Sequence, residues 1–286
     1  RIREQVKKGK VVIVAGFQGM NTEQEITTLG RGGSDLTAVA IAKTLDADMC
    51  EIYTDVEGVY TADPRVVKDA RKLSVISYEE MLELASLGAQ VMQARSMEVA
   101  KKYSVPLHIR SSFTNKEGTI ISKEVKAMED VLVSGVTANK GESKVTICDV
   151  PDRPGIAAKI FTDIAKNDIN VDMIIQNISR KGHTDLSFTV PMAQLNKTKD
   201  VMAKIVRSVN AKGVVYNNEI AKVSIVGVGM KSHSGVAAKM FGALASKKIN
   251  IDMISTSEIK ISCVINKQYA DSAVRILHKA FGLGKK

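Results

Sequence analysis

A glycine-rich segment at residues 29–35, Leu-Gly-Arg-Gly-Gly-Ser-Asp, leads directly into a predicted helix. Glycines let backbone N–H groups approach a ligand closely, and the N-terminus of a helix favours negative charge. On the glycines alone, a flexible loop in which Ser34 or Asp35 caps the helix is the better explanation. Arg31 can pair with a carboxylate and Asp35 with an ammonium group, so the whole segment indicates a site for a free amino acid.

A second polar segment, residues 51–65, begins with a predicted buried strand that ends at Thr54 and Asp55. Ligands of open α/β sheets bind just beyond the carboxyl ends of the strands. Thr54, Asp55, Tyr60 and Arg65 could therefore contact a nucleotide or its metal ion. The alternative is an ordinary strand and turn with a surface arginine, which composition does not exclude.

A third segment combines a turn at residues 149–158 with a polar strand at residues 170–177. A turn that enters a helix presents free N–H groups to a carboxylate. The side chains of Asn170, Asp172 and Gln176 could then take up an amino group and a side chain. For this segment alone, a ligand site and a well-made helix cap are equally favoured.

Part of the third segment is repeated 80 residues further along the chain. Residues 155–161 match residues 235–241, and residues 169–174 match residues 249–254 at the same offset, without a gap. Chance is a poor explanation, and such an internal repeat indicates a duplicated structural unit. Each copy has the pattern of a βαββαβ unit.

The elements that position the first two segments alternate between apolar strands and helices. This alternation indicates an α/β domain with a largely parallel sheet. Strands are predicted at residues 11–15, 49–54 and 106–110, a long loop at 16–33, and helices at 35–45 and 78–103, with a possible break at Gly88. The charged stretch at residues 116–128 is the best candidate for a linker. The strand predicted at residues 131–138 precedes the first repeat and could pair into the sheet of the second, which would interleave the two units.

The composition excludes several classes of protein. The chain has 286 residues, of which 44% are hydrophobic and 25% charged, as in ordinary globular domains. Its apolar runs are too short to span a bilayer, and its first ten residues lack the apolar core of a signal peptide. The three cysteines, Cys50, Cys148 and Cys263, have no metal-ligand or disulfide spacing, so a reducing cytoplasm is expected.

The net charge of +10 raises the question of nucleic-acid binding. The basic residues are scattered along the chain, and aromatic residues make up only 4% of it, so stacking platforms are scarce. A lysine-rich, solvated surface is the better explanation. Neither a nucleic acid nor a membrane is expected as a partner.

The motifs together resemble the amino-acid kinase superfamily. This resemblance rests on residues 14–19, 28–35 and 53–65. Residues 78–89, residues 105–113 and the repeat, which is similar to a pair of ACT domains, narrow it to the aspartate kinase family. It covers essentially the whole chain.

The resemblance implies an α/β fold followed by an α+β region. Residues 1–123 would be the C-terminal portion of an amino-acid kinase domain, and residues 124–142 a linker with a strand that could belong to the second repeat. Residues 143–212 and 219–286 would be tandem ACT domains with the ferredoxin-like βαββαβ topology.

For the kinase portion, the resemblance implies phosphoryl transfer from MgATP to the β-carboxylate of L-aspartate, giving 4-phospho-L-aspartate. A carboxylate is already a nucleophile at neutral pH, so catalysis would rest on alignment and on neutralising phosphoryl charge. Aspartate would be held by Arg31, Ser34 and Asp35. The ATP site, with Mg2+ bound to the nucleotide, would contain Thr54, Asp55, Tyr60, Asp63, Pro64 and Arg65. No residue is assigned as a direct metal ligand, and none of these roles is given to Gln90, where many relatives have lysine.

For the repeat, the resemblance implies feedback control by lysine, threonine or both, because the pathway from aspartate leads to them. The first effector site would contain Asp152, Arg153, Pro154, Gly155, Ile156, Ala157, Asn170, Val171, Asp172 and Gln176. The second would contain Val236, Ala237, Asn250, Ile251, Ser257 and Glu258. Its turn, Lys-Ser-His-Ser at residues 231–234, lacks the acidic residue and the proline of the first, which predicts weaker binding or a mainly structural role. A homodimer, or an assembly of dimers, is expected because ACT domains commonly pair side by side.

Two alternatives stay open. A superfamily kinase acting on another acid, such as uridylate, glutamate or acetylglutamate, would share the pattern at residues 54–65. A non-catalytic regulatory subunit is the second alternative, because the chain contains no Lys-Phe-Gly-Gly strand of the kind with which the family begins. On this ground the chain is expected to be N-terminally incomplete and inactive by itself. Met128 could be an internal start that produces a separate small subunit.

Overall fold

The computed structural model describes residues 1–88, 91–123, 132–177 and 182–284. Within these ranges the strands form three four-stranded sheets and one two-stranded hairpin. One sheet belongs to residues 1–123, called the N-terminal unit below. The other two belong to the two copies of the repeat. No helix in the described ranges is long and apolar enough to cross a membrane.

The N-terminal unit combines helices with a largely parallel sheet, as predicted, although its strands and helices do not strictly alternate along the chain. Its elements are α1 Ile2–Lys7, β1 Gln18–Met20, β2 Ile26–Thr28, α2 Gly33–Leu45, β3 Cys50–Thr54, β4 Val75–Ser77, α3 Tyr78–Ser86, α4 Ala94–Tyr103, β5 Leu107–Ser111 and β6 Thr119–Ser122. The sheet order is β3-β5-β6-β4. The pairs β3–β5 and β4–β6 are parallel, whereas β5–β6 is antiparallel.

Three predictions for this unit are wrong in detail. Residues 11–15 form no strand, and Val11 and Ile13 are 93% and 95% exposed. An apolar run becomes a buried strand only where neighbouring strands pair with it, and no described strand does so here. Residues 16–33 contain the β1–β2 hairpin and are not one continuous loop. Residues 119–122 of the predicted linker form β6, which buries Ile121 in the sheet, while the positions after 123 up to Met128 lie outside the described residues.

The first repeat unit comprises β8 to β11 with two helices. After β7 Gly135–Asn139 come β8 Glu142–Pro151, α5 Ile156–Ala165, β9 Ile174–Gln176, β10 His183–Pro191, α6 Leu195–Val209 and β11 Gly213–Asn217. The sheet is antiparallel with the order β11-β8-β10-β9. Helices α5 and α6 bury Ile160 and Met202 against Phe188 of the sheet, which gives this unit its own apolar core.

The second repeat unit has the same order of elements but takes one strand from upstream. Its elements are β12 Ile220–Val226, α7 Val236–Ala245, β13 Met253–Thr256, β14 Lys260–Asn266 and α8 Ala270–Ala280. The sheet order is β13-β14-β12-β7. Strand β7 thus pairs with β12, as predicted, and takes the place that β11 has in the first repeat unit. The two repeat units are therefore interleaved, because the last strand of the second sheet precedes the first unit in the chain.

The N-terminal unit packs directly on the second repeat unit through α3. Ser77 and Glu80 form a capping box at the start of α3, and the carboxylate of Glu80 is buried. That carboxylate also accepts hydrogen bonds from the hydroxyl of Ser134 at 2.6 Å and from the backbone N–H of Val228 at 3.0 Å. One turn further on, Glu83 pairs with Lys260 of β14 at 2.8 Å.

Candidate active site and effector sites

The glycine-rich turn before α2 depends on backbone conformations that glycine adopts without strain. Gly30 and Gly32 have φ values of 79° and 75°. Gly32 is the N-cap residue of α2, and no side chain caps the helix. The expectation that Ser34 or Asp35 caps α2 is therefore wrong. The helix begins one residue earlier than Ser34, so both side chains lie within its first turn and are left available to a ligand.

The start of α4 holds this turn in place. The backbone of Gln93 forms a hydrogen bond to the carboxylate of Asp35. A Cβ atom at Gly32 would collide with the side chain of Gln93, which explains the glycine at this position. The guanidinium of Arg95 donates to the backbone oxygen of Leu29 at 3.2 Å.

Two charged side chains of opposite sign flank this turn. Burial raises the pKa of Asp35, and the hydrogen bond from Gln93 opposes that rise. Arg31 is exposed and has no hydrogen-bond or ion-pair partner within the described ranges. A half-buried carboxylate and an exposed guanidinium beside a helix N-terminus can bind the ammonium and carboxylate groups of an amino acid.

The predicted nucleotide segment lies at the end of β3 and in the loop that follows. The hydroxyl of Thr54 donates to Asp55 at 3.0 Å. Arg65 binds Asp63 through both Nε and Nη2, at 3.0 and 2.8 Å. This pairing lowers the pKa of Asp63 and raises that of Arg65, to which the charge of Asp55 also contributes. Arg65 therefore interacts with both Asp63 and Asp55 at the exposed turn that contains Pro64.

Two lysines near Tyr60 were not predicted as site residues. Burial raises the pKa of Tyr60, and the negative charge of Glu57 adds a smaller rise. Lys116 pairs with Glu57 at 2.8 Å, and Lys72 lies opposite Tyr60 in an isolated β-bridge. Both lysines could neutralise phosphate charge. Lys116 was missed because it lies in the charged stretch interpreted as a linker.

The residues present fit a magnesium ion that arrives with ATP. Such an ion keeps phosphate and water ligands and needs only one or two carboxylates from the protein. Asp55 is exposed at the end of β3, where it could supply one. Both oxygens of Asp63 are already bound by Arg65.

The substrate and nucleotide sets lie on consecutive elements of the chain. Arg31, Ser34 and Asp35 precede or begin α2, and the nucleotide set follows β3. Within the described ranges no hydrogen bond or ion pair joins one set to the other. Gln90 lies outside the described residues.

The predicted first effector set divides between two cavities. The turn at residues 152–157 and Gln176 line a cavity of about 340 Å3. Gly155, with φ 91°, is the N-cap of α5, so the free N–H groups of this helix face the turn. The remaining members, Asn170, Val171 and Asp172, line a different cavity of about 270 Å3.

The second cavity lies where the two repeat sheets meet. Lys222 of β12 is 3% exposed and binds Glu142 of β8 at 2.6 Å and the carboxylate of Asp172. Burial lowers the pKa of Lys222, but the two carboxylates outweigh burial and raise it overall. Asp172 is therefore already engaged by a cation of the second repeat unit.

The predicted second effector set includes Val236 and Ala237, the first two residues of α7. Gly235, with φ 86°, is its N-cap, and Val236 is buried beneath it. The set continues along the chain with Ala237, Asn250, Ile251, Ser257 and Glu258. Glu258 is exposed and pairs with Lys231 at 3.1 Å, and the same lysine lies 3.8 Å from Glu79 of α3. This turn thus contacts the N-terminal unit.

Comparison with known proteins assigns the three parts of the chain. The amino acid kinase family matches residues 1–111, and ACT domain families match residues 144–208 and 223–281. An aspartate kinase of Pseudomonas putida is 54% identical over 284 residues, which cover 99% of this chain and 69% of that protein.

Solved structures agree with this assignment. The aspartate kinase of Clostridium acetobutylicum superposes with a TM-score of 0.81 at 28% identity, covering 93% of this chain and 62% of that one. E. coli aspartokinase III matches in its complex with aspartate and ADP (R-state), with a TM-score of 0.78, and in its complex with lysine and aspartate (T-state), with a TM-score of 0.71. Both matches are 27% identical and cover 93% of this chain and 59% of the other. Together with the 54% identity above, these matches show that the chain belongs to the aspartate kinase family of phosphotransferases, with an amino-acid kinase part followed by tandem ACT domains.

Proposed function

We propose that this protein transfers a phosphoryl group from MgATP to the β-carboxylate of L-aspartate, giving 4-phospho-L-aspartate and ADP. The observation that carries the proposal is the turn before α2, which leaves an exposed Arg31 and a half-buried Asp35 beside one helix N-terminus. This arrangement suits an amino acid better than a nucleotide. The relative from E. coli that binds aspartate and ADP supports it.

The proposed roles follow from charge. Arg31 and the free N–H groups of α2 bind a carboxylate of aspartate, and Asp35 binds its ammonium group, with Ser34 as a further hydrogen-bond partner. Thr54, Asp55, Tyr60, Asp63, Pro64 and Arg65 line the nucleotide site, and Asp55 orients the magnesium ion. No general base is required, since the attacking carboxylate is a nucleophile without one. Alignment and neutralisation of phosphoryl charge then account for the catalysis.

The proposed regulation is feedback inhibition by lysine, threonine or both at the ACT domains. The lysine complex of E. coli aspartokinase III supports lysine. Threonine is proposed as an effector because the pathway from aspartate leads to it as well as to lysine. The effector residues are the two predicted sets, and in the first set residues 152–157 and Gln176 share one cavity. An effector regulates by binding one arrangement of the ACT domains better than another.

A homodimer, or an assembly of dimers, is the proposed assembly, and the cytoplasm the proposed location. Strands β9 and β13 form equivalent edges of the two repeat sheets. They carry the equivalent side chains Ile174 and Ile254, which are 52% and 43% exposed. Open strand edges with exposed apolar side chains favour pairing with a second sheet.

An assay of aspartyl phosphate, trapped with hydroxylamine, tests the function on the protein expressed from the complete gene. We expect aspartate-dependent product that decreases when lysine or threonine is added singly or together. Product that neither amino acid affects would leave the kinase activity standing and contradict feedback by these two ligands. The absence of product with aspartate would contradict the proposed reaction and favour another acid substrate or a purely regulatory role.

A further inference from the structure

Thr61 is a fully buried residue of the nucleotide segment, and its hydrogen bonds lead to the second repeat unit. Its hydroxyl donates to the backbone oxygen of Leu283 at 3.2 Å and accepts from the N–H of Arg71 at 3.0 Å. The Nε2 atom of His278, in α8, lies 2.9 Å from the same hydroxyl. The backbone oxygen of Thr61 accepts from the N–H of Val136 in β7 at 2.8 Å.

The contacts of the Thr61 hydroxyl require a proton on Nε2 of His278. A threonine hydroxyl has one proton to donate and two positions at which it accepts. Donation to Leu283 and acceptance from Arg71 leave one acceptor position, which fits an Nε2–H group of His278. Burial lowers the pKa of His278, and the charge of Asp69 opposes this effect only in part. A neutral ring with its proton on Nε2 is therefore the form that fits the site.

Apolar packing attaches the same segment to the second repeat unit. Ala62, Val67 and Ala70 belong to one buried cluster with Val136 of β7 and Val274 of α8. Ala70 also forms a β-bridge with Gly284, just after α8. The loop between β3 and β4 thus contacts the second repeat unit as well as the kinase sheet.

We propose that His278, through Thr61, is a positioning residue for the nucleotide site. Thr61 lies directly after Tyr60 and two residues before Asp63, and both neighbours belong to the nucleotide set. The inference rests on the proposed function, because it requires that residues 54–65 bind ATP. It assigns to an ACT domain a side chain that fixes the nucleotide segment 217 residues away in the chain.

The test compares binding of MgATP and of L-aspartate, each measured by titration calorimetry on the protein expressed from the complete gene. His278→Leu removes the donor, whereas His278→Gln keeps an N–H group at a similar position. We expect His278→Leu to raise the Kd for MgATP by roughly three- to tenfold, the effect of one buried hydrogen bond, with little change for aspartate. His278→Gln should restore most of the MgATP affinity.

A matched control separates positioning from a general loss of stability. Ile205→Val alters the buried core of the first repeat unit, which does not contact Thr61. It should lower the melting temperature and leave the Kd for MgATP unchanged. An equal loss of MgATP affinity in Ile205→Val and His278→Leu would overturn the proposal. If His278→Leu does not fold, Thr61→Val and Thr61→Ser decide it, since only the serine keeps the hydroxyl and should retain MgATP affinity.

Arg65→Ala distinguishes failure of this inference from failure of the proposed function. If Arg65→Ala weakens MgATP binding and His278→Leu does not, the nucleotide site stands and the positioning role is overturned. If neither variant changes MgATP binding, residues 54–65 are not the nucleotide site, and both proposals are overturned.

Discussion

Asp35 shows how one side chain can be both structural and functional. Its carboxylate is half-buried in the first turn of α2 and receives a hydrogen bond from the backbone of Gln93. Burial without a counter-charge is costly, and the raised pKa of this carboxyl expresses that cost. An incoming ammonium group would supply the missing charge. Asp35 is therefore the residue at which recognition of the amino acid can be tested most directly.

We predict that Asp35→Asn raises the KM for aspartate by roughly 10- to 100-fold, because a charge-assisted hydrogen bond is lost. The KM for ATP should stay within about twofold, since binding energy is lost at the amino-acid site alone. Asp46→Asn is the control: it alters an exposed aspartate just after the end of the same helix. Steady-state kinetics on the complete gene product measures both constants. A parallel rise in both KM values would contradict the assignment.

The lowered pKa of His278 predicts that the stability of the protein depends on pH. Its pKa is lowered in the folded chain, whereas in the unfolded chain it titrates near 6.5. As the pH falls through about 6.5, the unfolded chain takes up this proton and the folded chain resists it, so stability decreases. Urea unfolding at pH 7.5 and at pH 5.5 should show a smaller loss in His278→Gln than in the parent protein. The other histidines are present in both proteins, so equal losses would show that His278 makes no contribution.

At the scale of elements, β7 lies beside the first repeat unit in the sequence but belongs to the sheet of the second repeat unit in the structure. It precedes the first repeat unit yet pairs along its whole length with β12, from Gly135 opposite Val226 to Asn139 opposite Lys222. Val136 is buried in the core of the second repeat unit. Val145, nine residues later, is buried in the core of the first.

These two valines predict opposite patterns of local stability. Val136→Ala should destabilise the second repeat unit by roughly 2 kcal/mol through lost burial, and Val145→Ala should do the same to the first. Hydrogen exchange of backbone amides measures each sheet separately. Faster exchange is expected in β12 and β14 for the first variant, and in β8 and β10 for the second. Val136→Ala acting mainly on β8 and β10 would contradict the observed pairing.

The sequence predicts the elements whose signal is local and misses those that depend on distant partners. Helix α2 is predicted from a glycine turn and helical periodicity, and the repeat from an 80-residue offset between matching segments. The pairing of β7 with the distant β12 is an exception, which the structure confirms. The prediction of a strand at residues 11–15 was wrong, because this apolar run has no described partner strand. The prediction that Ser34 or Asp35 caps α2 was wrong, because Gly32 is the N-cap residue and the helix begins at Gly33. The domain boundaries and the site residues stay predictions.

At the scale of the whole molecule, charged side chains link the units in addition to apolar packing. Lys222 links the two repeat sheets through Glu142 and Asp172. Glu80 and Glu83 link α3 of the kinase part to the second repeat unit. Such long-range pairs cannot be inferred from a single sequence, since nothing local to Lys222 or Glu80 marks its partner.

Removing one member of a buried ion pair lowers the stability of a protein more than removing one member of an exposed ion pair. We predict that Lys222→Ala destabilises the protein by about 3 kcal/mol, because it leaves the buried carboxylate of Glu142 without its cation. Lys231→Ala, in which an exposed lysine loses its contacts with Glu258 and Glu79, should leave the urea midpoint unchanged. Equal shifts in the two variants would contradict the role of burial.

The position of β7 also governs how the chain folds as it leaves the ribosome. Synthesis proceeds from the N-terminus, so β7 leaves the ribosome before the first repeat unit. It has no partner strand in its sheet while that unit is being made. That unit is closed and can fold at once, whereas β7 finds its partner only when β12 follows. Until then β7 is an unpaired strand edge beside a finished domain, which is a common origin of misassembly between nascent chains. The strand that interleaves the two units therefore leaves the growing polypeptide open to aggregation between the synthesis of β7 and that of β12.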